Sequence, residues 1–257
     1  MFDTHCHLQD GRIIGQVDAV INRALLAGVR RMLCCGSGEA DWGDVARVGA
    51  GYGGAVACAY GVHPWYVDRL NDGWDARLEE YLRRDGTAAV GEIGLDNAVG
   101  PRNDVRQADI FARQLEIAGR LKRPVSIHCR KAWGSLLSIL RGAGGLRFGG
   151  AVHSYSGPPD LVGELESLGC CISFSGSILI PGSRRAVESL RIVSRDKLLM
   201  ETDSPDILPR GATGPNNEPA NLPIILYKAA EILGEPLETV ASRTFDNGIR
   251  VFGGGGS

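Results

Sequence analysis

Aromatic side chains are scarce in this 257-residue chain, at 6%, and neither sign of charge is in excess. Lys and Arg number 28 against 30 Asp and Glu, a formal net charge of −2. That balance argues against the broad basic face with which a protein grips duplex nucleic acid, though not against a local cleft for a short strand or a phosphate. Few aromatics also means few of the stacking platforms that typify single-strand binders, which keeps substrates other than nucleic acid in view. No apolar run approaches the roughly 20 residues that span a bilayer, so no membrane segment is expected. The opening Met1-Phe2-Asp3-Thr4-His5 lacks the charged-then-apolar layout of a secretory leader, and the expected compartment is the cytoplasm.

C-x-x-C is absent too. The seven cysteines (Cys6, Cys34, Cys35, Cys58, Cys129, Cys170, Cys171) are odd in number, and two pairs are adjacent, a poor geometry for a disulfide. Nearly all sit in apolar runs and read as buried reduced thiols. Cys6 and Cys129 each adjoin a histidine, but neighbours on a strand point to opposite faces. If His5, His7 and His128 face a site, these two cysteines face away from it.

What is present is an alternation. Short apolar runs at residues 2–7, 31–35, 55–62, 88–95, 124–129, 150–155, 170–175 and 198–203 read as strands buried on both faces. Helical periodicity fills the gaps. Residues 14–29 carry a stripe of Val17, Val20, Ile21, Ala24 and Leu25, with Gly28 near the end. Residues 105–122 repeat Ala108, Phe111, Leu115, Ala118 and Lys122, with Asp104 as the expected N-cap. Asn221 precedes a helix that Gly234 should stop, and Pro236 opens another with Leu237, Val240, Ala241 and Thr244 on one side. Eight strands alternating with helices predict a (β/α)₈ TIM barrel, one domain over residues 1–252, with a flexible Gly-rich tail at 253–257. An open doubly wound sheet would carry a Gly-rich phosphate loop after its first strand; here that strand ends in His5-Cys6-His7-Leu8 and no G-x-G-x-x-G follows.

There are only five histidines: His5, His7, His63, His128 and His153. Each falls at the C-terminal end of an expected strand, the active-site rim of such a barrel. Glu92, Asp96 and Asp203 fall on the same rim. A lone histidine is more often a hydrogen-bonded core residue, but five on one rim, with acidic partners, point to divalent metal. His5, His7, Glu92, His128, His153 and Asp203 are the expected ligands of one or two ions. Imidazole with carboxylate suits zinc, manganese, nickel or iron, and oxygen-only shells suit magnesium or calcium.

Asp3-Thr4-His5-Cys6-His7-Leu8, Gly61-Val62-His63-Pro64, Gly91-Glu92-Ile93-Gly94-Leu95-Asp96 and Pro124-Val125-Ser126-Ile127-His128-Cys129-Arg130 make a specific series. His153-Ser154-Tyr155-Ser156-Gly157, Ile172-Ser173-Phe174-Ser175-Gly176, Glu201-Thr202-Asp203-Ser204-Pro205, Asn217-Glu218-Pro219 and Asn247-Gly248-Ile249-Arg250-Val251-Phe252 continue it. In this order the chain resembles the TatD-like metal-dependent hydrolases, or TatD deoxyribonucleases, among the amidohydrolase-type barrels. The resemblance implies that His5 and His7 hold one metal with Glu92 and Asp203, and that Glu92 bridges to a second held by His128 and His153. It implies that Asp203 also orients or deprotonates the attacking water, that His63 contacts the scissile phosphate, and that magnesium is the usual ion. Arg130 is a candidate phosphate contact; its alternative is a surface ion pair. Asp96 is expected to orient a ligand, and Glu218 to fix the loop after the last strand.

Four places depart from the family pattern: Gln9 where an acidic residue is usual, Asn97 in place of an aromatic, Lys131-Ala132-Trp133-Gly134 where an acidic residue often follows Arg130, and a lengthened stretch at 210–217. None removes a ligand; all bear on the substrate. The expected function is a deoxyribonuclease cleaving DNA phosphodiester bonds through metal-activated water, including as a single-strand exonuclease. The alternatives are hydrolysis of another ester or amide, or a metal-stabilised subunit of a larger assembly. No pattern specifies an oligomeric state.

Overall fold

Eight parallel strands lie in one sheet in chain order: β1 (Phe2–Cys6), β2 (Arg31–Cys35), β3 (Val56–Tyr60), β4 (Ala89–Asp96), β5 (Val125–Arg130), β6 (Gly150–Val152), β7 (Cys170–Phe174) and β8 (Leu198–Met200). This computed structural model describes residues 1–100 and 103–254. Helices run between the strands: α1 (Val17–Leu26), α2 (Trp42–Gly51), α3 (Trp74–Arg84), α4 (Asp104–Leu121), α5 (Trp133–Gly142), α6 (Val162–Ser167) and α7 (Arg184–Ile192). Two more, α8 (Leu222–Leu233) and α9 (Leu237–Phe252), follow β8. The chain is a nearly closed (β/α)₈ barrel. Among the described residues no helix is long and apolar enough to cross a membrane.

Strand alternation sorts the core into two layers. Met32, Cys34, Val56, Ile127, Cys170 and Ile172 pack outward among helix residues such as Ile21, Val45, Phe111 and Leu136. Leu33, Cys35, Ala59, Ala89, Ala151, Cys171 and Leu199 fill the barrel with Phe2 and, from α9, Phe252. Two irregularities break the alternation, between Asp3 and Cys6 in β1 and between Val90 and Ile93 in β4. Val90, Ile93 and Leu95 all join the outer layer, so the shift in β4 leaves Glu92 and Asp96 facing inward.

The barrel closes beyond the end of β8. The His7 N–H donates to the Ser204 carbonyl at 2.7 Å and the Asp203 N–H to the His5 carbonyl at 3.0 Å. The residues that close the sheet are therefore also candidate site residues. Two glycines permit the close approaches on the far side. A Cβ on Gly94, at φ 140°, would lie 1.9 Å from the His128 carbonyl oxygen. One on Gly61 would lie 2.9 Å from the Glu92 carbonyl oxygen. Only hydrogen fits at either position, and that draws His128 and His63 towards Glu92.

Some boundaries differ from expectation. The helix expected over 14–29 is a 3₁₀ turn (Ile14–Gln16) followed by α1, whose buried stripe is Val20, Ile21 and Ala24; Leu25 is 42% exposed. One residue is 100° of helix, enough to carry Leu25 past the edge of that stripe. The N-cap of α4 is Asn103, and Asp104 is its first helical residue, where a carboxylate still complements the helix dipole. Gly234 does end α8, at φ 65°, and Pro236 caps α9. Of the expected tail, residues 255–257 lie outside the described residues.

Candidate metal centre

A cleft of about 490 Å³ opens at the C-terminal ends of the strands and is lined by His7, His63, Glu92, His128, His153 and Asp203. His5 lies beneath it, fully buried. His5 and His128 are inside strands, His7 and His153 one residue past theirs, and His63 and Asp203 three residues past theirs. Glu92 is within β4, also buried. Six strands thus send these side chains to one place.

Glu92 is the hub. Its Oε2 lies 3.4 Å from His5 Nε2 and 3.4 Å from His7 Nε2. Its Oε1 lies 3.0 Å from His128 Nδ1, 2.8 Å from His153 Nε2 and 3.4 Å from His63 Nε2. Asp203 joins the first group, with Oδ1 3.9 Å from His7 Nε2. Burial alone would raise the Glu92 pKa, but His63, His153 and His5 around it outweigh that and hold it well below the carboxylate range.

The other ring nitrogen of each histidine states what the inner one can do. His7 Nδ1 donates to the Cys35 carbonyl at 2.8 Å, and His5 Nδ1 meets the Ser126 hydroxyl at 2.9 Å. His128 Nε2 donates to Asp96 Oδ2 at 3.1 Å, and His153 Nδ1 to Glu201 Oε1 at 3.2 Å. At His7, His128 and His153 the outer nitrogen faces a carbonyl or carboxylate acceptor that holds its proton there, which leaves the inner nitrogen as the one that would bind a metal; at His5 the outer partner is a hydroxyl, which can donate or accept. His63 is the reverse case. Its Nδ1 accepts the Trp65 N–H at 3.1 Å, so the neutral ring carries its proton on Nε2 and donates into the cleft. Burial pushes its pKa down to about 3, against the opposing pull of Glu92, so it stays neutral. His63 lies close enough to form a donor group with Glu92 and His128, but its tautomer is wrong for ligation through Nε2.

The donor set fits divalent metal. Inner nitrogens crowd together, with His5 Nε2 3.3 Å from His7 Nε2 and His128 Nδ1 3.2 Å from His153 Nε2. Nitrogens this close to one another and to the Glu92 carboxylate form a donor set that a divalent cation would satisfy. His5, Glu92 and His153 form one group able to hold an ion, and His5, His7 and Asp203 another.

The flanking residues fall as follows. Asp96 receives both His128 and the Trp65 indole N–H, the latter at 2.9 Å. Burial opposes ionisation of Asp96, yet His128 and the Ala98 N–H bring its pKa to about 2. Arg130 is exposed and lines the cleft. Glu218 takes Arg23 of α1 in a bidentate pair, at 2.9 and 2.6 Å, which ties down the loop after β8. Asp203 stands at φ 58°, an unfavourable conformation costing about 1–3 kcal/mol in a non-glycine residue. Asn217 steadies that loop, donating to the carbonyls of Thr202 at 2.8 Å and Ile207 at 3.2 Å.

All seven cysteines are free and buried. Cys6 faces the outer core, as expected; Cys129 packs there too, although its edge lines the cleft. The thiol nearest the histidines is Cys35, 3.5 Å from His5 Nδ1, and burial pushes its pKa far up, so it is inert as a nucleophile. Sequence reasoning missed Ser126 and Glu201, the supports of His5 and His153. Strand parity carried the signal: Ser126 lies two residues before His128, and Glu201 two before Asp203.

Comparison with known proteins bears on this geometry. The TatD related DNase family matches residues 2–253. The metal-dependent hydrolase YcfH of Escherichia coli is 32% identical, over 98% of this chain and 95% of that protein. The 3'-5' ssDNA/RNA exonuclease TatD of Edwardsiella piscicida is 30% identical, over 98% and 99%. Among solved structures, the TatD homologue YJJV of Escherichia coli superposes with a TM-score of 0.93 at 28% identity, covering 98% of both chains.

Proposed function

The chain belongs to the TatD related DNase family of metal-dependent hydrolases, and on that premise we propose that it hydrolyses phosphodiester bonds of single-stranded DNA, working from an end. The observation that supports this most is the convergence of five imidazoles, His63 among them as a hydrogen-bond donor, on the buried carboxylate of Glu92. His5, His7, Glu92 and Asp203 would hold one divalent ion, and Glu92, His128 and His153 a second. Ions so held supply Lewis acidity and a lowered pKa for water, as two-metal phosphodiesterases require. Zinc, manganese and nickel suit the imidazoles, and magnesium would lean on the carboxylates.

The remaining roles belong to the chain. Asp203 is partly open to the cleft beside His7, placed to orient the attacking water and take its proton. His63 presents a neutral N–H, the hydrogen-bond donor that a non-bridging phosphate oxygen needs as charge builds on it. Arg130 at the mouth suits the next phosphate along the strand. A cleft rather than a surface stripe, in a chain of net charge −2, favours one short strand over a duplex.

The test is cleavage of end-labelled single-stranded oligonucleotides by wild type and by Glu92→Ala and Asp203→Ala, before and after chelation and with each metal restored. Stepwise shortening that needs metal and both carboxylates is the expected result. Turnover of small carboxylic esters or amides with intact oligonucleotides would move the substrate elsewhere within the family.

A further inference from the structure

We propose that Trp65 is a stacking platform for the nucleobase beside the scissile phosphate, and so a specificity-determining residue of this site; the proposal rests on the phosphodiester reading above. Trp65 is 50% exposed, unusual for so large an apolar side chain, and it lines the cleft. The other large apolar side chains with comparable exposure, such as Leu26, Val105, Ile192 and Tyr227, lie away from that cleft.

The exposure is not looseness. The Trp65 backbone N–H is held by His63 Nδ1 at 3.1 Å and its indole N–H by Asp96 Oδ2 at 2.9 Å. Its ring stands at 81° to the His63 ring, with centroids 4.8 Å apart. A ring fixed on one edge and half exposed loses little conformational freedom when a flat partner covers what is exposed. That is the requirement for stacking, which is tolerant of base identity because every base has a π-face. The neighbouring His63 donor would then engage the phosphate of the same nucleotide whose base lies on Trp65. In a chain with few aromatics and a net charge of −2, one such platform also gives the cleft a reason to prefer single strands, whose bases are free to turn outward.

The experiment pairs a base deletion with a ring deletion. KM and kcat are measured for a single-stranded oligonucleotide, and for the same strand with an abasic residue on either side of the cleaved bond. The enzymes are wild type, Trp65→Phe and Trp65→Leu, and binding is followed in parallel by quenching of tryptophan fluorescence. In wild type, one abasic position should raise KM by about tenfold or more, the scale of one base–aromatic stack. Trp65→Leu should raise KM for the intact strand by a similar factor and abolish the difference between intact and abasic strands. Trp65→Phe, which keeps a ring but not the indole N–H, should retain most of that difference. An equal fall in kcat for Phe and Leu, with KM still sensitive to the base, would overturn the platform and make Trp65 a support for Asp96. Cleavage whose KM ignores the abasic residue in wild type would sink the platform and leave the nuclease reading standing. A wild-type protein that neither cleaves nor binds the strand would remove both.

Discussion

The two flanks of Glu92 are built from the same ligand chemistry but supported differently. On the Oε2 flank, His5 leans on the Ser126 hydroxyl and His7 on the Cys35 carbonyl, both neutral. On the Oε1 flank, His128 leans on Asp96 and His153 on Glu201, both carboxylates. A carboxylate behind an imidazole makes it a stronger donor and fixes its tautomer more firmly than a hydroxyl or carbonyl does. The ring electrostatics follow: burial and His153 lower the pKa of His5, whereas at His128 and His153 the acidic partners outweigh burial and raise it. The Oε1 flank is the more firmly preorganised place for an ion. The Oε2 flank is completed by Asp203, which sits on the strained loop beyond β8 and is open to the cleft. Under the proposed function, that difference gives tight retention to one flank and contact with the reacting water to the other.

Glu92→Gln should erase the comparison altogether, because it removes the one group both flanks share. Activity should fall by about 10²–10³-fold or more, the scale of losing a preorganised charge at a reacting centre, with metal loss from both flanks by elemental analysis. Next in size are His153→Ala and His5→Ala, compared by metal content after dialysis. His153→Ala should lose the firmly held ion; His5→Ala should keep it and lose the exchangeable one. The reverse order would break the assignment of flanks. Smaller effects sharpen it. Asp96→Asn and Glu201→Gln should each weaken retention of one ion by about 10–100-fold, the usual cost of removing a ligand's outer partner. Ser126→Ala should weaken the other by no more than about fivefold, since it removes one neutral hydrogen bond. Equal losses in competition with a metal-binding dye would show that the kind of support makes no difference here.

The barrel was legible because its strands are apolar runs at regular spacing and its helices carry their own stop signals, such as Gly234 after α8. The candidate histidines were legible because histidine is rare in this chain and each one falls within three residues of a strand's C-terminal end. What could not be read was where parity breaks. Simple alternation from Ala89 places Glu92 on the outer face with Val90, and only the irregularity between Val90 and Ile93 turns it inward. The tautomer of His63 was equally hidden, because it depends on where the next turn puts the Trp65 N–H. Supports such as Glu201 and Ser126 stand inside the same motifs as Asp203 and His128, but their meaning comes from the histidine that each one faces.

The most direct test of the Glu92-centred site is metal retained per chain, measured by elemental analysis after loading and exhaustive dialysis, in wild type and Glu92→Gln side by side. About two ions per chain in wild type, as a shared-carboxylate site holds, with close to none in Glu92→Gln, is the predicted result. No retained metal in wild type, or the same retention in both proteins, would contradict it.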